Sequence, residues 1–255
     1  MRSQCRGFAA AVGAVLGLIL LPGGGAPAFA SEDHELATFR VTLQNLTSGQ
    51  PLSPPAAATH RSGLHMFRVG QLATDQLAAI AQDGNEVTMF NLFNGAPRVT
   101  QAVDVGRPLT PQGKVVGTFT DSVTFQIKAR GGDRLSLATM LICTNDGFTG
   151  VDGVKLPEKG SLVFLTNGYD AGRENNTEKQ IDLVEPCSVL GPVSLPGVHP
   201  SPNRNAQVAT LPPEVIHHHP GITGVGDLSR TLHGWRDPVA RITITRLASP
   251  DEDDG

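Results

Sequence analysis

The apolar residues of this chain come in short runs of alternating character, and this pattern constrains the fold more than any other feature. In Phe39–Leu43 and Val239–Leu247, β-branched or aromatic residues take every second position, as in a strand with one buried face. Similar strand patterns span residues 117–130, 134–143 and 160–166. Loops rather than long helices separate these runs, so the sequence predicts an all-β protein built as an antiparallel β-sandwich.

The pattern also predicts how some of these segments connect. Strands 117–130 and 134–143 are expected to form a hairpin that turns at Gly131-Gly132-Asp133. The segment 51–70 is expected to be an ordered loop, and residues 186–220 a long excursion over the surface.

One short helix is predicted, over Asp75–Gln82. Thr74 can cap its N-terminus, Leu77 and Ile80 share one face, and Gly84 ends it.

Composition and charge exclude several classes of protein. The 29 Gly and 19 Pro disfavour a long helical bundle. The 20 Lys and Arg against 24 Asp and Glu leave a net charge of −4. A protein without excess positive charge is a poor ligand for nucleic acid or for an anionic membrane surface.

The first 30 residues have the form of a signal peptide. Arg2 and Arg6 precede an apolar run from Phe8 to Leu21, and Ala28-Phe29-Ala30 fits a signal-peptidase site. The run is too short to span a bilayer, so we expect no stable membrane insertion. Cleavage near Ala30 would give a secreted or periplasmic protein, with a domain over residues 36–248 and a disordered acidic tail over 249–255.

Removal of the signal peptide would leave two cysteines, Cys143 and Cys187. In an exported protein a single disulfide is the simplest expectation. The sequence alone does not show that the two residues meet.

Three carboxylates lie in turns next to predicted strands. Asp146 follows the run that ends at Cys143, while Asp170 and Glu174 follow the next strand. Loops at one end of a sandwich can converge, and calcium binds six to eight oxygen ligands held by such loops. The other interpretation is that these Asp-Gly and Asn-Asp pairs are only turn formers.

Several motifs, in order along the chain, resemble the spondin N-terminal domain in its bacterial, secreted form. They are Phe39-Arg-Val-Thr-Leu, Leu52-Ser-Pro-Pro, Thr144-Asn-Asp-Gly-Phe, Tyr169-Asp-Ala-Gly-Arg-Glu, Gly221-Ile-Thr-Gly-Val-Gly-Asp-Leu and Trp235-Arg-Asp-Pro-Val-Ala-Arg-Ile-Thr-Ile. The resemblance covers about residues 36–247.

This resemblance implies an eight-stranded, C2-like antiparallel sandwich that binds partners and has no known catalysis. It also implies calcium ligands at Asp146, Asp170 and Glu174. The third is Glu where the animal members have Asp, which lengthens the side chain by one methylene and keeps the charge. We therefore expect a secreted calcium-binding adhesion module whose partner is an extracellular protein or glycan.

Two alternatives remain open at this level. The run His217-His218-His219 could serve a transition metal in an exported enzyme, although consecutive strand residues point to opposite faces. A C2-like fold could also bind membrane surfaces through calcium. Among catalytic templates, a paired-carboxylate glycosidase using Asp146 and Asp170 is the one that sequence does not exclude.

Overall fold

The computed structural model describes residues 36–185, 187, 190 and 205–248, all within one compact unit, His34–Gly255. The predicted signal peptide and acidic tail lie outside the described residues. None of the described helices is long and apolar enough to cross a membrane.

The architecture is an antiparallel β-sandwich, as the alternating pattern predicts. In the described part of the chain, eight strands have five to nine residues and two have two. The strands are β1 Ala37–Asn45, β2 Ala56–His60, β3 Val99–Asp104, β4 Ser122–Ala129, β5 Arg134–Met140, β6 Gly147–Lys155, β7 Ser161–Thr166, β8 Tyr169–Asp170, β9 His217–His218 and β10 Ala240–Arg246. They form a four-stranded sheet, β4-β1-β10-β7, and a six-stranded sheet, β3-β2-β5-β6-β8-β9.

The first core lies between the two sheets. In β1, Phe39, Val41 and Leu43 are buried, while Arg40 between them is exposed. Ile242 and Ile244 of β10 and Leu137 of β5 join the same cluster. Removing the apolar face of each strand from water stabilises this core by about 25 cal/mol per Å² of buried apolar surface.

A second core lies between the six-stranded sheet and two helices, α1 Asp75–Asp83 and α2 Val87–Phe93. Leu77 and Ile80 of α1 are fully buried against it, which explains their spacing. Thr74 accepts a hydrogen bond from the Leu77 amide, and Gly84 ends the helix with φ 64°. The sequence missed α2, because VTMFNLF reads equally well as a short apolar strand.

Shorter helices complete the description: a 3₁₀ turn Gln180–Asp182, α3 Asn205–Val208 and α4 Arg230–His233.

Two predicted connections are wrong. The strands at 117–130 and 134–143 do not pair, because β4 lies beside β1 in one sheet and β5 lies between β2 and β6 in the other. The turn at Gly131-Gly132-Asp133 is therefore a crossover between sheets. The segment 51–70 is not all loop, since it contains β2. Both faces of β2 are buried, so its run of alanines shows no alternation of apolar and polar residues.

Candidate functional site

The loops that carry the three predicted carboxylates meet at one end of the six-stranded sheet. β6 begins at Gly147, and this residue pairs with Asp170 of β8. Asp146 directly precedes β6, so it lies next to the strand that carries Asp170. The Thr144 hydroxyl donates to the Leu141 carbonyl (2.6 Å) and accepts from the Gly147 amide (2.8 Å), which fixes the turn that contains Asp146.

The Asp146 carboxylate shapes the second loop. Its Oδ2 accepts hydrogen bonds from the backbone amides of Arg173 (2.7 Å) and Glu174 (2.9 Å). Gly172 is required in this loop, because it has φ 68° and an added Cβ would lie 2.3 Å from the Glu214 carbonyl oxygen. The two loops are thus fixed to each other by one carboxylate.

The three acids are buried, with exposed fractions of 0% for Asp146, 2% for Asp170 and 3% for Glu174. Both Asp170 oxygens have partners, the Gly172 amide (2.8 Å) and Asn176 Nδ2 (2.7 Å). Glu174 Oε1 accepts from Gln82 Nε2 at 2.7 Å. No described residue donates a hydrogen bond to Asp146 Oδ1 or Glu174 Oε2. Two buried carboxylates therefore each keep one unpaired oxygen.

The charge of this cluster is poorly compensated. Burial, then repulsion from Asp170, raises the pKa of Asp146 to about 7, although the Arg173 and Glu174 amides oppose the rise. Burial raises the pKa of Glu174 to about 8; the bond from Gln82 opposes this, and the negative charges of Asp146, Asp83 and Asp182 add to it. A buried carboxyl without a cation favours its neutral form.

The side chains of this cluster do not by themselves form a complete metal-binding site. Among residues 36–185, 187, 190 and 205–248, no three His, Cys, Asp or Glu side chains are arranged to hold one ion. Next to Asp146, Asn145 Oδ1 accepts from the Glu178 amide (3.2 Å). Asp152 lies elsewhere, accepting from the Met66 amide at 2.7 Å.

The three consecutive histidines have three different environments. His217 Nε2 lies 3.9 Å from Asp170 Oδ2, and the His218 ring packs 5.3 Å from the Tyr169 ring. His219 is half-buried and packs against Trp235 with 5.0 Å between ring centroids, and desolvation of its ring lowers its pKa to about 4. β9 contains only His217 and His218, whose side chains point to opposite faces of the strand, and His219 follows it.

Another polar group resembles a catalytic triad but has the wrong order. The buried Ser136 hydroxyl lies 2.8 Å from His60 Nε2 and donates to Asp152 Oδ1 at 3.0 Å. In a nucleophilic triad the histidine lies between the serine and the acid. Here Ser136 lies between His60 and Asp152, and His60 Nδ1 is hydrogen-bonded to the Arg61 carbonyl.

Cys143 and Cys187, whose pairing the sequence leaves open, form a disulfide with 4.9 Å between Cα atoms. It ties the loop before Asp146 to the segment after the 3₁₀ turn. Gln50 reinforces this loop, since its side chain accepts from the Cys143 amide (2.9 Å) and donates to the His233 carbonyl (2.7 Å).

Glu178 is a structural residue that sequence reasoning missed. Its carboxylate accepts four hydrogen bonds, from the Thr223 amide and hydroxyl and from the Gly224 and Val225 amides. A row of backbone amides in a Gly-rich turn forms an anion-binding concavity. Gly221–Leu228 is thus an anion loop that binds a carboxylate of its own chain.

The comparison with protein families matches the Spondin_N model to residues 47–178, just over half of the chain. The chain belongs to the spondin N-terminal domain family. The matched region of this spondin domain runs from before β2 to beyond β8 and contains all three carboxylates. β1, β9 and β10 lie outside it. A comparison with curated proteins gives no match.

Proposed function

We propose that this protein is a secreted, calcium-binding, non-catalytic binding and adhesion module of the spondin type. The observation that carries the proposal is the pair of buried carboxylate oxygens, Asp146 Oδ1 and Glu174 Oε2, to which no described residue donates. Buried charge without a partner is costly, and a bound cation would remove that cost.

The donor set fits calcium better than a softer metal. Asp146, Asp170 and Glu174 offer oxygen only, and calcium also accepts backbone carbonyls, amide oxygens and water. It therefore needs no ready-made set of three acidic side chains around one point. The loops 141–146 and 171–176 are fixed to each other by Asp146, and their backbone carbonyl oxygens are the further ligands that we propose.

Calcium would act structurally in this proposal. A cation between the two loops would neutralise repulsion among Asp146, Asp170 and Glu174 and would hold the loops in one conformation. Its binding free energy would add to the free energy of unfolding, because the unfolded chain has no such site. The ordered loop surface would then be presented to an extracellular protein or glycan.

Secretion is supported by the leader pattern of residues 1–30, which the sequence alone supplies. The disulfide is consistent with an oxidising compartment.

The test is thermal unfolding of residues 31–255, without a tag, in EDTA and then with millimolar calcium, magnesium or zinc. The Asp146→Asn/Asp170→Asn variant removes two charges from the cluster. The Asp121→Asn/Glu158→Gln variant removes two charges outside it and serves as the matched control. We expect a rise in Tm that is specific to calcium, present in the control and lost in the cluster variant.

Failure of calcium to raise the Tm of the wild-type protein would refute the proposed site. A rise produced by zinc alone would instead point to the histidines and to the alternative metal-dependent function.

A further inference from the structure

A cleft of about 490 Å³ lies at the end of the sandwich opposite to the carboxylates. Its walls come from the start of β1, the ends of β4, β6 and β10, and the turn that enters β5. β6 runs from Gly147 at the acidic end to Lys155 at the cleft. At about 3.3 Å per residue, the two ends are roughly 26 Å apart.

The cleft is basic although the chain is acidic. Arg130, Arg134, Lys155 and Arg246 line it, and they come from three separate segments of the chain. No described residue forms a salt bridge with Arg130, Lys155 or Arg246. The Arg134 guanidinium donates to the Gly153 carbonyl at 2.9 Å, a neutral acceptor that does not offset its positive charge.

The two acids of the cleft do not cancel these charges. Asp133 is buried, and its Oδ2 accepts from the Arg130 amide (2.8 Å) and the Thr100 hydroxyl (2.5 Å). Its Oδ1 lies 3.4 Å from Arg61 Nε, a fifth cation, which neutralises it. Glu158 is exposed at the rim. A net positive charge therefore remains.

The other side chains that line it are apolar, those of Ala37, Phe39, Ala129, Leu156 and Pro157, and three of them, Phe39, Ala129 and Pro157, are buried. The surface of this recess is therefore polar as well as apolar, a combination that suits a sugar. The C–H face of a sugar ring can contact the apolar wall while its charged substituents reach the rim.

We propose that this cleft binds an anionic polysaccharide, a sugar chain that carries carboxylate or sulfate groups. Four cations on three segments can contact several anionic groups along a sugar chain, and guanidinium pairs well with both carboxylate and sulfate. The apolar residues are recessed rather than protruding, which opposes insertion into lipid. The proposal rests on the proposed role as a binding module but not on the calcium site.

The experiment measures binding of residues 31–255 to heparin and to polygalacturonate by calorimetry, with neutral dextran as the uncharged probe. Arg130→Gln/Arg246→Gln removes two cleft charges whose side chains make no hydrogen bond to a described residue. Arg40→Gln/Lys114→Gln removes two exposed charges elsewhere and is the matched control. Each variant is also tested for the calcium-induced Tm shift and for binding to vesicles with phosphatidylserine.

We expect binding to at least one acidic polysaccharide and none to dextran, with affinity that falls as salt rises. The cleft variant should bind about tenfold more weakly, since each exposed charge contact contributes a factor of about three. The control should bind like wild type. Absence of binding by the wild type, equal binding by the cleft variant, or stronger binding to vesicles would each overturn the proposal. An intact calcium shift in those cases would leave the proposed function standing.

Discussion

Replacing Asp146 by Asn should stabilise the metal-free protein, which is the opposite of the usual effect of changing a fully buried, hydrogen-bonded residue. Asn keeps a side-chain oxygen that can accept from the Arg173 and Glu174 amides, the two bonds that order the second loop. It removes the buried charge that lies in the field of Asp170. The substitution should also abolish the calcium response.

The magnitude follows from the pKa of Asp146, which is 3.8 for an ordinary carboxyl and about 7 in the folded protein. A gap of about three pH units corresponds to about 4 kcal/mol for an isolated group, at about 1.4 kcal/mol per unit. Because Asp146 and Asp170 interact, part of that energy belongs to the pair. We expect the variant to gain about 2–3 kcal/mol at pH 8 in EDTA.

The direction in which stability changes with pH follows from the raised pKa of Asp146 in the folded protein. Between about pH 4 and pH 7 the folded state holds a proton that the unfolded state has lost, so wild-type stability falls as pH rises. Glu174, raised from 4.5 to about 8, adds a contribution of the same sign. The advantage of Asp146→Asn should therefore shrink to about 1 kcal/mol at pH 5 and vanish near pH 4.

The assay is urea unfolding at pH 4, 5 and 8, in EDTA and in millimolar calcium, without reductant. Glu158→Gln, an exposed acid outside the cluster, is the control and should change little. An Asp146→Asn variant less stable than the wild type at pH 8 in EDTA would contradict this expectation. Equal stabilisation of the variant and the wild type by calcium would contradict it as well.

Three further predictions concern parts of the fold that support the site. Thr74→Ala should cost about 1 kcal/mol in urea unfolding because it removes the cap bond to the Leu77 amide, and Thr74→Ser should restore it. Replacing Cys143 and Cys187 together by Ser opens a link across 44 residues, and we expect a loss of about 4 kcal/mol by the same assay. Glu178→Gln replaces a carboxylate that accepts four hydrogen bonds, so Tm should fall by an amount that corresponds to about 2 kcal/mol, with faster amide exchange at residues 223–225.

Sequence periodicity predicted the strands that have one buried and one exposed face. It failed for a strand with both faces buried and for an apolar segment short enough to be either a strand or a helix. β1 and β10 alternate because one face contacts the core and the other faces solvent. β2 lies between β3 and β5 with helices on one side and a second sheet on the other, so its alanines carry no alternation. The wrong hairpin has a different cause. A tight glycine turn fixes how the chain reverses, but not which sheet receives the next strand.

At the site, turn chemistry next to strand ends drew attention to Asp146, Asp170 and Glu174, and the structure brings their loops together. Turn chemistry did not indicate Gln82 or Glu178, because their roles depend on contacts with segments that are distant in sequence. The unpaired oxygens of Asp146 and Glu174 are also invisible in the sequence. They result from the burial of the loops, which only the packed structure defines.

The pairing of β1 with β10 has a consequence for how the chain folds. Phe39 of β1 is opposite Arg246 of β10, so β1 gains one of its two neighbours only after β10 has been synthesised. Contacts this distant in sequence slow folding. A nascent chain would therefore remain without its complete sandwich until its C-terminal segment is available, and we expect truncation before residue 240 to leave β1 with a bare edge. For a protein that we propose to be exported, delayed folding keeps the polypeptide in a form that can be threaded across a membrane.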